Sequence, residues 1–136
     1  MYLCKNFKLN NGLQIPAQGL GTFTLKDEVM TNSIKAAYQA GCTLIDTASA
    51  YMNEHYVGTS IKELERQGVL KREDLFIETK VGDKITPQGR PIGYYFYNSP
   101  SCPNHDTKKV VNEQIENSLK LLQTDYLDLV MIHWPY

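Results

Sequence analysis

No apolar run in these 136 residues approaches the ~20 needed to span a bilayer, so no membrane partner is expected. Nor is there an excess of charge of one sign. Fourteen basic and 15 acidic side chains leave a formal net charge of -1, which excludes the broad field that would draw the chain to nucleic acid. The expected partner is a small molecule. Cysteine is scarce: Cys4, Cys42 and Cys102 are three in number and far apart, which suits reduced thiols in the cytoplasm better than a disulfide framework. Met1 to Lys8 hold no long apolar segment ahead of a small-residue cleavage site, so no secretory signal is expected. No second pair of ligands accompanies Cys102 and His105, and no metal is expected. The dinucleotide fingerprint Gly-x-Gly-x-x-Gly is also missing. Gly19-Leu20-Gly21-Thr22-Phe23-Thr24 has the first two glycines but a threonine in the third place.

What is present reads as one domain over residues 1–136. Asn10-Asn11-Gly12 between Phe7-Lys8-Leu9 and Leu13-Gln14-Ile15 predicts a β-hairpin. A first strand follows at Gln18–Thr22. Met30, Ile34, Ala37 and Tyr38 recur with the period of an amphipathic helix, with Asp27 as its expected cap and Gly41 just past its end. A second strand, Thr43-Leu44-Ile45, ends in Asp46, and Val57, Ile61 and Leu64 mark a second helix that Gly68 would stop. Leu75-Phe76-Ile77 runs on to Lys80 as a third strand, apolar on both faces. Residues 82–106 show no helical period and four prolines, so a long loop is expected there, and its Tyr94-Tyr95-Phe96-Tyr97 reads either as a binding lid or as a loop packed on its own domain. Val111, Ile115, Leu119 and Leu122 predict a third helix capped by Asp106 or Thr107, and Leu127–Ile132 a fourth strand ending in His133. Asp128, inside that strand, is an unexplained polar residue, with a helix-facing side chain as one reading.

Strictly alternating strands and helices imply an α/β fold with a parallel sheet, either an open doubly wound sheet or a (β/α)8 barrel. A barrel gathers functional residues at the carboxyl ends of its strands. Three such ends here carry Asp46, Lys80 and His133, and Tyr51 lies in the loop after Asp46. Taken singly, each has a bland explanation: Lys80 a solvated strand end, Tyr51 a packing aromatic, Asp46 a helix cap, His133 a structural histidine. Together they suit one chemistry. A carbonyl that accepts hydride develops negative charge on oxygen and needs a proton donor there. Tyr51 can donate; Lys80 would stabilise the phenolate left behind; Asp46 would hold Lys80 charged and oriented; His133 would direct the carbonyl through a ring N–H.

The runs Leu44-Ile45-Asp46-Thr47-Ala48-x-x-Tyr51, Asn53-Glu54, Val57-Gly58, Leu75-Phe76-Ile77-Glu78-Thr79-Lys80 and Tyr126 to Pro135, with Gly19-Leu20-Gly21-Thr22, together resemble the aldo-keto reductases. The resemblance covers Phe7 to Pro135 in the family's order. It implies a (β/α)8 barrel of which this chain holds the N-terminal half, four strands and three helices behind a hairpin. It implies Asp46, Tyr51, Lys80 and His133 as the catalytic tetrad, and Gly21, Thr22 and Asp46 at the cofactor. Phe23, Tyr51, His133 and Trp134 would line the substrate pocket. The activity implied is NADPH-dependent reduction of aldehydes or ketones of the aldose type, with NADP favoured over NAD.

Three departures from the family pattern stand out. Phe23 replaces a frequent tryptophan, Met52 stands where glycine usually follows the tyrosine, and the loop over 82–106 is long and should lie beside the site. A full barrel needs eight strands and typically ~250 residues. Four strands leave open sheet edges that invite self-association. The rival expectation is therefore a non-catalytic half-barrel acting as a binding or regulatory subunit.

Overall fold

The computed structural model describes residues 5–81, 84–85, 91–92 and 107–133. An antiparallel hairpin opens the chain, β1 (Asn6–Lys8) against β2 (Gln14–Pro16), with Phe7 opposite Ile15. Gly12 makes the turn possible at φ +89, a conformation that costs glycine little. The body of the fold is a parallel sheet of β3 (Gly19–Gly21), β4 (Leu44–Asp46), β5 (Phe76–Val81) and β8 (Leu129–Ile132), in that order. Each crossover moves to the next position in the same direction. An open doubly wound sheet reverses direction partway, so this monotonic order is that of a barrel segment.

Three helices make the crossovers: α1 (Asp27–Gln39), α2 (Glu54–Arg66) and α3 (Thr107–Leu122). The core forms where they meet the sheet. Met30 and Ile34 of α1, Val57, Ile61 and Leu64 of α2, Leu122 of α3, and Ile45 and Ile77 from the strands are almost fully buried in one cluster. Strand alternation turns Ile77, Thr79 and Val81 toward the helices and leaves Phe76, Glu78 and Lys80 on the opposite face, the inner face of a barrel. Register carries this face across the sheet. Asp46 pairs with Glu78, and Lys80 with Met131, so His133, two residues beyond Met131, continues the same side. None of the described helices is long and apolar enough to cross a membrane.

Several expectations need correction. Asp27 does not cap α1: Lys26 occupies that position and makes no side-chain capping bond. The region 82–106 is not wholly irregular, because β6 (Lys84–Ile85) pairs antiparallel with β7 (Pro91–Ile92) inside it. The last strand begins at Leu129 rather than Leu127. Asp128 has partners: its carboxylate accepts from Arg72 Nη2 at 2.8 Å and from the Ile77 backbone N–H at 2.9 Å, and it stands just before the strand rather than inside it. In α3 the buried stripe is Gln114, Ser118 and Leu122, while Val111, Ile115 and Leu119 are only half-buried. The stripe is polar because Ser118 turns toward a buried carboxylate on α2.

That helix pair is unusually close at one point. A Cβ on Gly58 would stand 2.4 Å from the Leu121 carbonyl oxygen and 2.8 Å from Leu122 Cα, so only glycine lets the α3 backbone approach there.

Candidate active site

Asp46 is the last residue of β4, Lys80 lies one residue from the end of β5, and His133 follows β8, its backbone N–H donating to the Val81 carbonyl at 2.8 Å. All three stand at the carboxyl end of the sheet. Tyr51 arrives from the 3-10 turn Ser49–Tyr51 that follows β4. Two bonds pin this turn: Tyr51 N–H to the Ala48 carbonyl at 3.0 Å, and Ser49 Oγ to the Lys80 carbonyl at 3.1 Å. The second ties the turn that carries the phenol to the strand that carries the amine.

The Lys80 ammonium is the centre of the group. It donates to Asp46 Oδ1 and to the Thr47 carbonyl at 3.0 Å, and its Nζ lies 3.4 Å from the Tyr51 hydroxyl. Burial by itself would lower its pKa, but the hydrogen bond and charge of Asp46, with help from Tyr51, overcome this and raise it above the ordinary lysine value. Lys80 is therefore cationic at neutral pH. The phenol ring is held by two neighbours, Phe23 at 5.0 Å between ring centroids and His133 at 5.8 Å in an edge-on arrangement. The sequence-predicted quartet is thus brought together. Phe23, packed on the phenol, is itself 64% exposed.

The three residues expected at a cofactor differ. Gly21 is exposed, and a methyl in place of its hydrogen would meet nothing within 4 Å, so the backbone there can be approached closely. Asp46 is partly exposed. Thr22 exposes no surface: its hydroxyl and its N–H both donate to the Asp46 carbonyl, at 2.9 and 3.0 Å, which fixes β4 against β3. Trp134, Tyr94 to Tyr97, Cys102 and His105 lie outside the described residues. His55 is exposed, packs on Tyr56 and takes no part.

Three residues near the site were not assigned roles from sequence. Glu78 is buried on the same face as Lys80, with Oε1 3.9 Å from Nζ. Burial raises its pKa, the Asp46 charge raises it further, and Lys80 opposes both. Asn53 occupies the N-cap of α2, yet its amide donates to the carbonyls of Thr22, at 2.6 Å, and Leu25, at 3.1 Å, bracing the loop beneath Phe23. Glu54 is buried behind β5, accepting from Thr79 Oγ1 at 2.7 Å and Ser118 Oγ at 3.0 Å. Burial raises its pKa, and the two hydroxyl donors offset part of that rise. An acid in the first turn of a helix reads from sequence as a surface charge that favours the helix dipole. Only the packing reveals that it points inward.

Met52, the residue after Tyr51, has φ 57 and ψ 24. This left-handed conformation favours glycine, and a methionine held there carries strain of about 1 kcal/mol.

Residues 17–136 match the Aldo/keto reductase family. An aldose reductase of Encephalitozoon cuniculi is 37% identical over 134 residues, covering 98% of this chain and 37% of that protein. A D-galacturonate reductase of Hypocrea jecorina is 40% identical over 130 residues, 96% of this chain and 35% of its own length. Among solved structures, an aldo-keto reductase complexed with NADPH superposes with a TM-score of 0.73 at 33% identity, over 97% of this chain and 36% of that one. The chain thus spans a little over a third of the length of these relatives. With its sheet order, its strand-end residues and this similarity in agreement, the chain belongs to the aldo/keto reductase family, as the first four strands and three helices of its (β/α)8 barrel.

Proposed function

We propose that this chain is the catalytic portion of an NADPH-dependent reductase of aldehydes and ketones, aldose-type carbonyl compounds among them, with Tyr51 as proton donor. The observation that carries this reading is the Lys80 ammonium, held by Asp46 and lying 3.4 Å from the Tyr51 hydroxyl at the carboxyl end of the sheet. The residues present fit a nicotinamide: the open space over Gly21, in register with Asp46, suits a flat ring laid on the strand ends. NADPH is preferred over NADH because a solved relative binds it.

When bound, the cofactor supplies a hydride to the carbonyl carbon. The rest falls to the chain. Tyr51 gives its proton to the carbonyl oxygen as charge builds there, and Lys80 stabilises the phenolate that remains. Asp46 keeps Lys80 charged and aimed. His133, packed edge-on against Tyr51, orients the substrate oxygen beside the phenol. Phe23 supplies an apolar wall for a small carbonyl compound; Trp134, which the family resemblance puts in the same pocket, lies outside the described residues. Thr22 acts indirectly by fixing the end of β4. The cytoplasm, expected from the scattered cysteines, is where this reading places the protein.

The test is to mix the purified protein with NADPH and a panel of aldehydes and follow nicotinamide absorbance. Turnover is expected, and Tyr51→Phe should lower it by on the order of 100- to 10,000-fold. A fully active Tyr51→Phe protein would remove the proton-donor assignment. A folded wild-type protein that ignores both NADPH and NADH, and associates through the outer edge of β8, would favour the rival reading of a binding subunit.

A further inference from the structure

One ammonium at this site faces two carboxyl groups, and the reaction proposed above uses only one of them. Asp46 and Glu78 are directly paired across β4 and β5, so their side chains leave the sheet on the same face. Lys80, two residues after Glu78, shares that face. Its Nζ bonds Asp46, lies 3.9 Å from Glu78 Oε1 and 3.4 Å from the Tyr51 hydroxyl. Glu78 is only 8% exposed. Opposite Glu78 on β8 stands the apolar Leu129, and Asp128 before it is tied to Arg72. The groups that face Glu78 are thus Asp46 from β4 and Lys80 from its own strand, while His133 stands four residues along β8 from Leu129.

We propose that Glu78 is a positioning residue for Lys80: with Asp46 it forms a two-carboxyl seat for one ammonium, and its protonation decides how far that ammonium leans toward Tyr51. The inference rests on the reductase reading above. With Glu78 neutral, Asp46 and the phenol oxygen share the ammonium. Once Glu78 ionises, a second negative charge at ion-pair distance draws Nζ down the strand and away from the phenol. Phenolate stabilisation then weakens. Burial and the Asp46 charge keep Glu78 protonated to a higher pH than an ordinary glutamate, which brings this change toward neutrality.

The test is the pH profile of kcat for carbonyl reduction, with KM followed alongside. Wild-type kcat should fall as pH rises through the Glu78 ionisation, by on the order of 3- to 10-fold, a normal size for coupling between neighbouring groups. Glu78→Gln should abolish that step and leave KM unchanged, whereas Glu78→Asp, which keeps an ionisable group, should retain it. A carboxyl 13C titration of glutamate-labelled protein gives an independent readout. The signal missing in Glu78→Gln should titrate above the ordinary glutamate range, and higher still in Lys80→Met. Glu78→Gln with the wild-type pH step, or a Glu78 signal indifferent to Lys80, overturns the inference while an inactive Tyr51→Phe protein leaves the reductase reading standing. An active Tyr51→Phe protein overturns the reading beneath it.

Discussion

At either end of the four-stranded sheet a cation and an aspartate bridge two strands, and the two pairs are built to opposite plans. At the amino end Arg72 spends its donors on fixed partners: Thr124 Oγ1 at 3.1 Å, the Leu75 and Tyr126 carbonyls at 3.0 and 3.1 Å, and Asp128 at 2.8 Å. Its guanidinium also stacks 4.0 Å from the Tyr126 ring. At the carboxyl end Lys80 has firm bonds to Asp46 and Thr47 but reaches Tyr51 only at 3.4 Å and Glu78 only at 3.9 Å. The planar fork of arginine saturates a closed network, whereas a single ammonium can be contested by several oxygens. One end is stapled; the other is left able to respond to charge. The acids follow suit. Asp74, near the amino end, has its pKa lowered by the Lys71 backbone N–H and the Tyr38 hydroxyl, while Glu54 and Glu78 are raised by burial.

The comparison can be broken most directly by removing each cation in turn. Lys80→Met should cut turnover by about 100-fold or more, because the phenolate loses its counter-charge, and should shift the unfolding midpoint little, since Asp46 is partly exposed to water. Equal losses of stability for Lys80→Met and Arg72→Met would erase the distinction. Arg72→Met should leave kcat near wild type and destabilise the fold by about 3 kcal/mol, measured by urea unfolding, because Asp128 and two backbone carbonyls lose their partner. The partial exposure of Asp128 keeps this at the low end for a broken buried pair.

The smallest expected effect concerns pH. A carboxyl group whose folded pKa is raised is harder to ionise in the folded chain, so stability falls as pH climbs from the ordinary glutamate value of 4.5 through the raised value of Glu54. Below that window the group is protonated in both states and the penalty is absent. Glu54→Gln should therefore flatten the pH dependence of the urea midpoint over this window. A variant whose midpoint follows the wild-type curve would show that Glu54 ionises as freely inside as out.

The sequence was legible where a residue's role follows from its place on a strand. Asp46, Lys80 and His133 group in the sequence because strand ends in a barrel converge, and the fold brings them together with Tyr51. The hairpin at Asn11-Gly12 and the glycines after α1 and α2 were readable because they mark backbone conformations that few other residues adopt. Side-chain direction was harder. Glu54 and Asn53 open a helix, where polar residues ordinarily face water, and nothing local says that one turns into the core and the other across to the β3–α1 loop. Asp128 was opaque for another reason: its partner Arg72 lies 56 positions earlier, in a short turn without a periodic signature. The α3 pattern misleads because Ser118 and Gln114 look like a solvated face, although both are buried and Ser118 bonds Glu54.

Gly58 couples this architecture to its chemistry. Because the Leu121 carbonyl rests where a methyl would go, the gap between α2 and α3 is set by a hydrogen atom. An added carbon would push α3 outward, and with it the short connection that leads into β8 and on to His133. A glycine in the helical layer thus bears on the segment that leads to the imidazole.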